Sequence, residues 1–384
     1  MNDYSEDQRG PSVRARDLGI RLEGTPGKHN AITDVPGVSV GYVTLDPGDG
    51  SACTGVTAIL PRGAGSVGVP CAAGTYSLNG NGEMTGRAWI EESGQFSTPI
   101  LISNSHAVGA CHTGVDQWMH KNHPQVSAQW MLPVVAETWD GYLNRINDNL
   151  ITPEHAAQAL DNAATGPVPE GSVGGGTGMN CYGFKGGSGT SSRLVTASGQ
   201  QYTVGVFTQA NFGSRKELQI NGAPIGRSSQ APCPIEDTSW FESDQEAAAI
   251  PGGSGSVIVV VGTDAPLLPG QAKALARRVP LGLARTGTTG GHFSGDIFLA
   301  FSTGNPGALR SVLEKKSDPV PLDEIKFLPW SQMDALYEAT VEAVEEAVLN
   351  ALVNNRDATG REGHFSPALP HAEVKAALAQ RQAV

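Results

Sequence analysis

The sequence predicts an α/β protein, and two patterns carry the prediction. Beyond a polar, Pro/Gly/Ser-bearing connection at residues 221–255, the chain runs SVIVVV, an amphipathic stretch, DIFLAFSTG and a long apolar-periodic stretch, which reads strand, helix, strand, helix. Ahead of it, short apolar runs are punctuated by Gly, Pro, Asn and Asp, as in a sheet with tight connections. The 49 glycines and 25 prolines in 384 residues, beside 6% aromatic residues, fit many tight turns and close backbone approaches. This length suits two average domains or one large unit with a substantial core.

The elements follow in order. ITDVPGVSVGYVTL (32–45), VTAILP (56–61), SVGVPCAAG (66–74) and TPILISNS (98–105) read as strands. AVGACHTGVDQWMHKN (107–122) and TPEHAAQALDNA (152–163) read as helices, the second with Thr152 as N-cap and Pro153 at the first helical position, where its missing N–H costs nothing. Between them, MLPVVAETWDGYLN holds a short buried strand that runs into charged and aromatic residues. The glycine-dense block EGSVGGGTGMNCYGFKGGSGTSSR (170–193) lacks GxxxxGK[ST] and an ensuing helical pattern, so it reads as packed loop rather than as a phosphate cradle. QYTVGVFTQANF (201–212) is a strand ending at a polar Asn211. Residues 266–285 read as one amphipathic helix carrying Leu268, Ala272, Leu275, Ala276, Val279 and Leu283. DIFLAFSTG (296–304) is a strand, and 331–355 is a long helix with Ser331 and Asp334 at capping-box spacing. No internal repeat is visible, and the tail from about residue 357 is expected to be poorly ordered.

Composition narrows the function. The formal charge is −12, from 26 basic and 38 acidic residues, with no basic block to follow a phosphate backbone, so nucleic acid is not expected as a partner. The opening residues lack the apolar core of a signal peptide, and no stretch approaches the ~18 apolar residues of a membrane helix, so a soluble cytoplasmic protein without a membrane partner is expected. Cys53, Cys71, Cys111, Cys181 and Cys233 are odd in number and contain no CxxC pair, which suits reduced, buried thiols. The nine histidines show no HExxH and no metal-ligand spacing with cysteine; His106 and His112, six apart, do not share a helical face. Neither a metal nor a cofactor is expected.

A serine on a nucleophile elbow would need GxSxG, which the chain lacks. A serine that is the first residue of a chain has another base available, its own α-amine, whose pKa near ~8 leaves much of it neutral at working pH. That arrangement requires a cut peptide bond, and PGGSGSVIVVV (251–261) has the composition for one. Glycine before Ser256 permits unusual backbone geometry at the bond, while the strand behind the serine holds its hydroxyl still. The alternative is that Ser256 merely starts a strand.

GSVIVVVGTDAPLLPGQAKALARRVPLGLARTG with SGDIFLAFSTGN resembles the family of L-aminopeptidase/D-Ala-esterase-amidases and β-peptidyl aminopeptidases, self-cleaving serine hydrolases with an N-terminal nucleophile. AITDVPGVSVG, VVAETWDGYLN, GGGTGM with FKGGSGTSSR, and QANFG with INGAPIG extend the resemblance over most of the chain in the same order. The resemblance implies cleavage between Gly255 and Ser256 into fragments 1–255 and 256–384, with Ser256 as nucleophile and Ser254 as a rival in the same linker. It implies that Ser294 orients the nucleophile and that the Asp296 carboxylate continues the network, as a shorter side chain than the glutamate of some relatives. The two lie two apart in a strand and so on one face. By the same resemblance Asn211 stabilises the oxyanion and Glu137 receives the substrate ammonium, with Trp139 and Tyr142 either lining the side-chain pocket or packing in the core. The implied fold is a layered α/β/β/α sandwich, one unit (1–384) built from both fragments, in a homotetramer of cleaved protomers. The implied activity is hydrolysis of N-terminal residues from short peptides, amino-acid amides or esters, β-amino acid or D-residue substrates included, without a cofactor. Two alternatives remain at this stage: an acyl transferase like the ornithine acetyltransferases, which use threonine, and an uncleaved relative that binds small molecules.

Overall fold

The computed structural model describes residues 13–237, 253–311, 313 and 321–382. In chain order the first elements are β1 (Ser39–Leu45), β2 (Thr54–Leu60), β3 (Cys71–Ser77), α1 (Arg87–Ser93), β4 (Gln95–Phe96), β5 (Ile100–Asn104), α2 (Val108–Asn122), α3 (Pro124–Ser127), β6 (Val134–Thr138) and α4 (Pro153–Asp161). Then come β7 (Asn180–Cys181), β8 (Phe184–Lys185), β9 (Gly187–Ala197), β10 (Gln200–Gly213), α5 (Ile225–Ser228) and α6 (Pro234–Asp237). The remainder comprises β11 (Gly253–Thr263), α7 (Pro269–Ala276), α8 (Val279–Arg285), β12 (Ser294–Ser302), α9 (Asp334–Val353), β13 (Ala358–Thr359), β14 (Phe365–Ser366) and α10 (His371–Gln382).

Two sheets stack face to face. One has the order β1-β2-β5-β6, the other β4-β3-β12-β11-β10-β9. Val40, Ile59, Ile100, Ile102 and Ala136 of the first meet Phe207, Ile258, Val260, Leu299 and Phe301 of the second in one buried cluster. The outer face of the larger sheet buries Val257, Val259 and Val261 against Leu275 of α7, Leu283 of α8 and Val344 and Val348 of α9. The outer face of the smaller sheet buries Val56, Ala58 and Leu101 against Val115 and Met119 of α2 and Ala159 of α4. This is an α/β/β/α sandwich. β11 is central because Val257 through Val261 are fully buried, alternate residues going to the inter-sheet core and to the helices. Each such side chain contributes about 1.5–3 kcal/mol of transfer free energy.

The structure corrects several sequence expectations. The glycine-dense block is not all loop: β7, β8 and most of β9 lie in it. β9 stays glycine-rich because α9 presses on it, and a Cβ on Gly189 would stand 2.0 Å from the Ala347 carbonyl oxygen. Within the same block GGGTG does pack as a buried turn. The stretch 266–285 forms two helices that break between Ala276 and Val279, with Pro280 in the first turn of the second. α9 begins at Asp334 with no side-chain cap, so Ser331 caps nothing; it lies in a 3-10 turn. Ile32–Asp34 is likewise a 3-10 turn, and the strand begins at Ser39. The C-terminal tail is ordered: β13 pairs with β14, and Leu369, Val374 and Leu378 join the core beneath α9. The linker at 221–255 is partly folded as α5, α6 and the start of β11, and residues 238–252 of it lie outside the described residues.

Candidate active site

Ser256 stands near the start of β11, flanked on both sides by paired strands. β10 runs antiparallel and sets Asn211 opposite Ser256; β12 runs parallel and sets Gly295 beside Ser256 and Ser294 beside Gly255. The hydroxyl Oγ of Ser256 is buried and accepts the Gly295 N–H at 3.1 Å. A Cβ on Gly255 would stand 2.0 Å from the carbonyl oxygen of Asn211, so only glycine fits on the N-terminal side of the Gly255–Ser256 bond.

The Asn211 side chain is fixed at both ends. Its Oδ1 accepts the Asn180 N–H at 2.8 Å, and its Nδ2 donates to the Trp139 carbonyl at 2.9 Å. An amide nitrogen has two N–H groups, and this one lies 3.4 Å from the place that a Cβ on Gly255 would take. Among the described residues no acceptor takes its second N–H, close to the Gly255–Ser256 bond. Gln209, two residues earlier on β10, ties this end of the sheet to the other one by donating to the Ser103 carbonyl and the Thr138 hydroxyl.

On β12 the Ser294 hydroxyl donates to Asp296 Oδ1 at 2.5 Å, and the Asn79 amide donates to Oδ2 at 2.9 Å. Burial pushes the Asp296 carboxyl above the ordinary aspartate range, against the opposing bonds from Ser294, Asn79 and the Val257 N–H.

Glu137 lies in β6 and is buried. The Glu83 N–H donates to its Oε1 at 2.8 Å, and the Ser105 hydroxyl bonds Oε2. Burial raises its carboxyl above the usual range while these two bonds pull it back. Gly82 joins this carboxylate to β12, the strand beside Ser256: a Cβ there would stand 3.1 Å from both Glu137 Oε1 and the Cα of Gly295. Trp139 is half-buried and packs against a small cluster of Cys53, Tyr142 and Leu143. Tyr142 is buried, its ring stacked on His364 and its hydroxyl donating to the Phe365 carbonyl at 3.0 Å. Beneath this segment Asp140 is fully buried with Asn144 donating to it, and burial pushes its carboxyl up to about 7. The buried Lys185 ammonium donates to the Met179 and Gly186 carbonyls, bracing the glycine turn that presents Asn180; burial pulls it down to about 8.

The structure therefore brings Ser256, Asn211, Ser294, Asp296 and Glu137 to one end of the sandwich, around the loop 78–83. Sequence reasoning missed Asn79, Gly82, Ser105, Asn180 and the Gly295 N–H. The visible signal was LNGNGEM (78–84), whose Asn-Gly steps read as an ordinary turn. All five cysteines are buried, and burial raises Cys53 to about 12 and Cys71 to about 11. Among the described residues no three His, Cys, Asp or Glu side chains are grouped to hold a metal ion, and no helix is long and apolar enough to cross a membrane.

The layered fold is that of the N-terminal-nucleophile hydrolases. The chain is similar to the solved structure of the L-aminopeptidase D-Ala-esterase/amidase from Ochrobactrum anthropi, described as a prototype for the serine aminopeptidases and a variant of that fold, with TM-score 0.86 and 42% identity over 96% of this chain and 99% of the other. It is also similar to a Burkholderia sp. β-aminopeptidase, with TM-score 0.85 and 43% identity over 96% and 99% of the two chains. Over 372 residues it is 45% identical to the β-peptidyl aminopeptidase BapA of Sphingosinicella microcystinivorans, covering 95% of this chain and 91% of the relative. The chain belongs to peptidase family S58, whose model matches residues 30–366. It is a serine aminopeptidase, and acetyl transfer is the less favoured reading.

Proposed function

We propose that this aminopeptidase cuts its own chain between Gly255 and Ser256 and then uses Ser256 to release N-terminal residues from short peptides, amino-acid amides or esters, with β-amino acid and D-residue substrates in its range. The supporting observation is the Gly255–Ser256 junction itself. A glycine that nothing larger can replace precedes a buried serine hydroxyl, and the second N–H of Asn211, which no described residue takes, lies beside the bond.

In the cut, Ser256 Oγ attacks the Gly255 carbonyl carbon. The C–O bond forms as the C–N bond breaks, the hydroxyl proton ends on the new α-amine, and water then hydrolyses the ester to leave the Gly255 carboxylate. In turnover the α-amine takes the Ser256 proton as Oγ attacks the substrate carbonyl, Asn211 Nδ2 stabilises the oxyanion, the leaving amine or alcohol departs protonated, and water releases the acyl group. Ser294, level with Gly255, sits beside the new amine and passes the influence of the Asp296 carboxylate to it. Glu137 pairs with the substrate ammonium, which restricts the enzyme to free N-termini. Trp139 forms the pocket wall, and Tyr142 backs it.

The two fragments stay one unit, because β11 and β12 of the smaller lie between β3 and β10 of the larger. Exposed Trp130 and Leu132 offer surface for self-association into a homotetramer. The buried thiols Cys53, Cys71, Cys111 and Cys181 suit the reducing cytoplasm. A panel of L-α-, D- and β-aminoacyl p-nitroanilides tests the assignment. The wild type is expected to turn over free-amine members and spare N-acetylated ones, and Ser256→Ala to turn over none. A fully active Ser256→Ala enzyme would overturn it.

A further inference from the structure

The groups assigned above leave open what holds the second oxygen of the Asp296 carboxylate. Ser294 takes Oδ1; Oδ2 is met at 2.9 Å by Asn79, a residue on the loop between β3 and α1. The same amide donates to the Gly291 carbonyl at 3.1 Å, and the Ser77 hydroxyl donates to the Asn79 carbonyl at 2.6 Å, so the amide is aimed from two sides. Its neighbours fasten the loop onto β12: the Leu78 N–H donates to the Asp296 carbonyl at 2.9 Å, and the Asn81 amide to the Phe293 carbonyl at 2.8 Å. At its other end Gly82 and the Glu83 N–H reach Glu137.

We propose that Asn79 is a positioning residue for both cutting and turnover, its amide orienting the Asp296 carboxylate and, through Ser294, the hydroxyl and amine at the start of β11. The inference rests on the assignment of Ser256 as nucleophile and Asp296 as its carboxylate.

An ionised Asp296 obliges Ser294 to donate to it, which leaves the Ser294 oxygen to accept from the amine of Ser256. A protonated Asp296 is itself a donor and reverses that polarity. Burial favours the protonated form, and each donor to the carboxylate opposes it. Asn79 supplies such a donor without adding a charge. The titratable groups on the surrounding elements are Glu83 and Glu137 across Gly82, His292 on the loop entering β12, and Glu217, which accepts from Thr289 of that loop. The α-amine of Ser256 joins them in the cut enzyme. None of these is altered by replacing Asn79 with a neutral residue.

The experiment is the pH dependence of kcat/KM for a free-amine aminoacyl p-nitroanilide with Asn79→Ala, Asn79→Ser and Asn79→Asp, beside wild type and Ser256→Ala. In Asn79→Ala the acid limb is expected to move up by about one pH unit, the size of one lost hydrogen bond to a carboxylate. The plateau kcat is expected to fall at least about tenfold with KM within about twofold, since Glu137 keeps its partners. Asn79→Ser should recover part of the shift. Asn79→Asp, which preserves shape, should move the limb further because two carboxylates then share the site; it serves where the alanine variant fails to fold. An acid limb unmoved in the folded variants, with Ser256→Ala inactive, overturns this inference alone. An active Ser256→Ala enzyme overturns the assignment on which it rests.

Discussion

Asn211 and Ser256 face each other across the β10–β11 ladder, the amide pinned by Asn180 and Trp139 and the hydroxyl by the Gly295 N–H. Antiparallel partners present their side chains on one face. In the proposed mechanism the second Asn211 N–H meets the oxygen that gains charge as Ser256 attacks.

Replacing that donor is expected to reduce kcat about 10²–10³-fold in Asn211→Ala, with a small change in KM, because the interaction strengthens only as charge develops. Steady-state kinetics on protein brought to full cleavage checks this. A variant that loses affinity and keeps kcat would assign Asn211 to ground-state binding.

Gly255→Ala tests the junction. The added Cβ would meet the Asn211 carbonyl oxygen at 2.0 Å, a contact that backbone cannot absorb without shifting the ladder. Gel electrophoresis over days should show uncut chain accumulating, while the wild type is cut. Cutting at the wild-type rate would show that the bond reacts in a different backbone geometry from the one seen here.

Glu137→Gln should raise KM for free-amine substrates about tenfold or more, the loss of a charged partner in a buried site, and leave the fold intact, since the glutamine oxygen still accepts from the Glu83 N–H while its NH2 can donate to the Ser105 hydroxyl oxygen. An unchanged KM would remove Glu137 from ammonium recognition.

A buried ion cluster ties the two proposed fragments together. Glu346 of α9 bonds Arg16 at 2.8 Å through both carboxylate oxygens and pairs with Arg193 of β9 at 2.8 Å. Burial pushes its carboxyl up, but the bonds from Arg16 and Asn30 and the charges of Arg193 and Arg16 outweigh burial and hold it below the ordinary range. A depressed carboxylate stabilises the fold above its unfolded pKa of about 4.3, and that contribution is lost as pH falls through the lower folded value. Glu346→Gln should therefore cost about 3–5 kcal/mol at neutral pH, by leaving Arg193 buried and short of charge, and less in acid. Denaturant melts at pH 7 and at about pH 3 read both numbers, and an equal loss at the two pH values would contradict the electrostatic origin.

Legibility in the sequence tracked side-chain chemistry that follows strand periodicity. The β-branched run after Ser256 and the apolar alternation ending at Asn211 announced β11 and β10, and GSVIVVV with SGDIF drew the two strands on which the proposed nucleophile and its proposed carboxylate stand. β9 was hidden because its small residues answer to the closeness of α9, which no strand propensity encodes. The C-terminal helix was missed because its apolar positions are sparse and gain meaning only against the core that Leu369, Val374 and Leu378 complete. Asn79 sits in a turn whose neighbours in sequence say nothing of Asp296, 217 positions away. Such residues become visible when the loop that carries them is placed against a strand.

The most direct test of the account is the intact mass and N-terminal sequence of freshly purified protein. The expected result is two fragments, 1–255 and 256–384, the smaller beginning Ser256-Val257-Ile258. A single uncut chain that nonetheless turns over aminoacyl substrates, or a new N-terminus at Ser254, would contradict it.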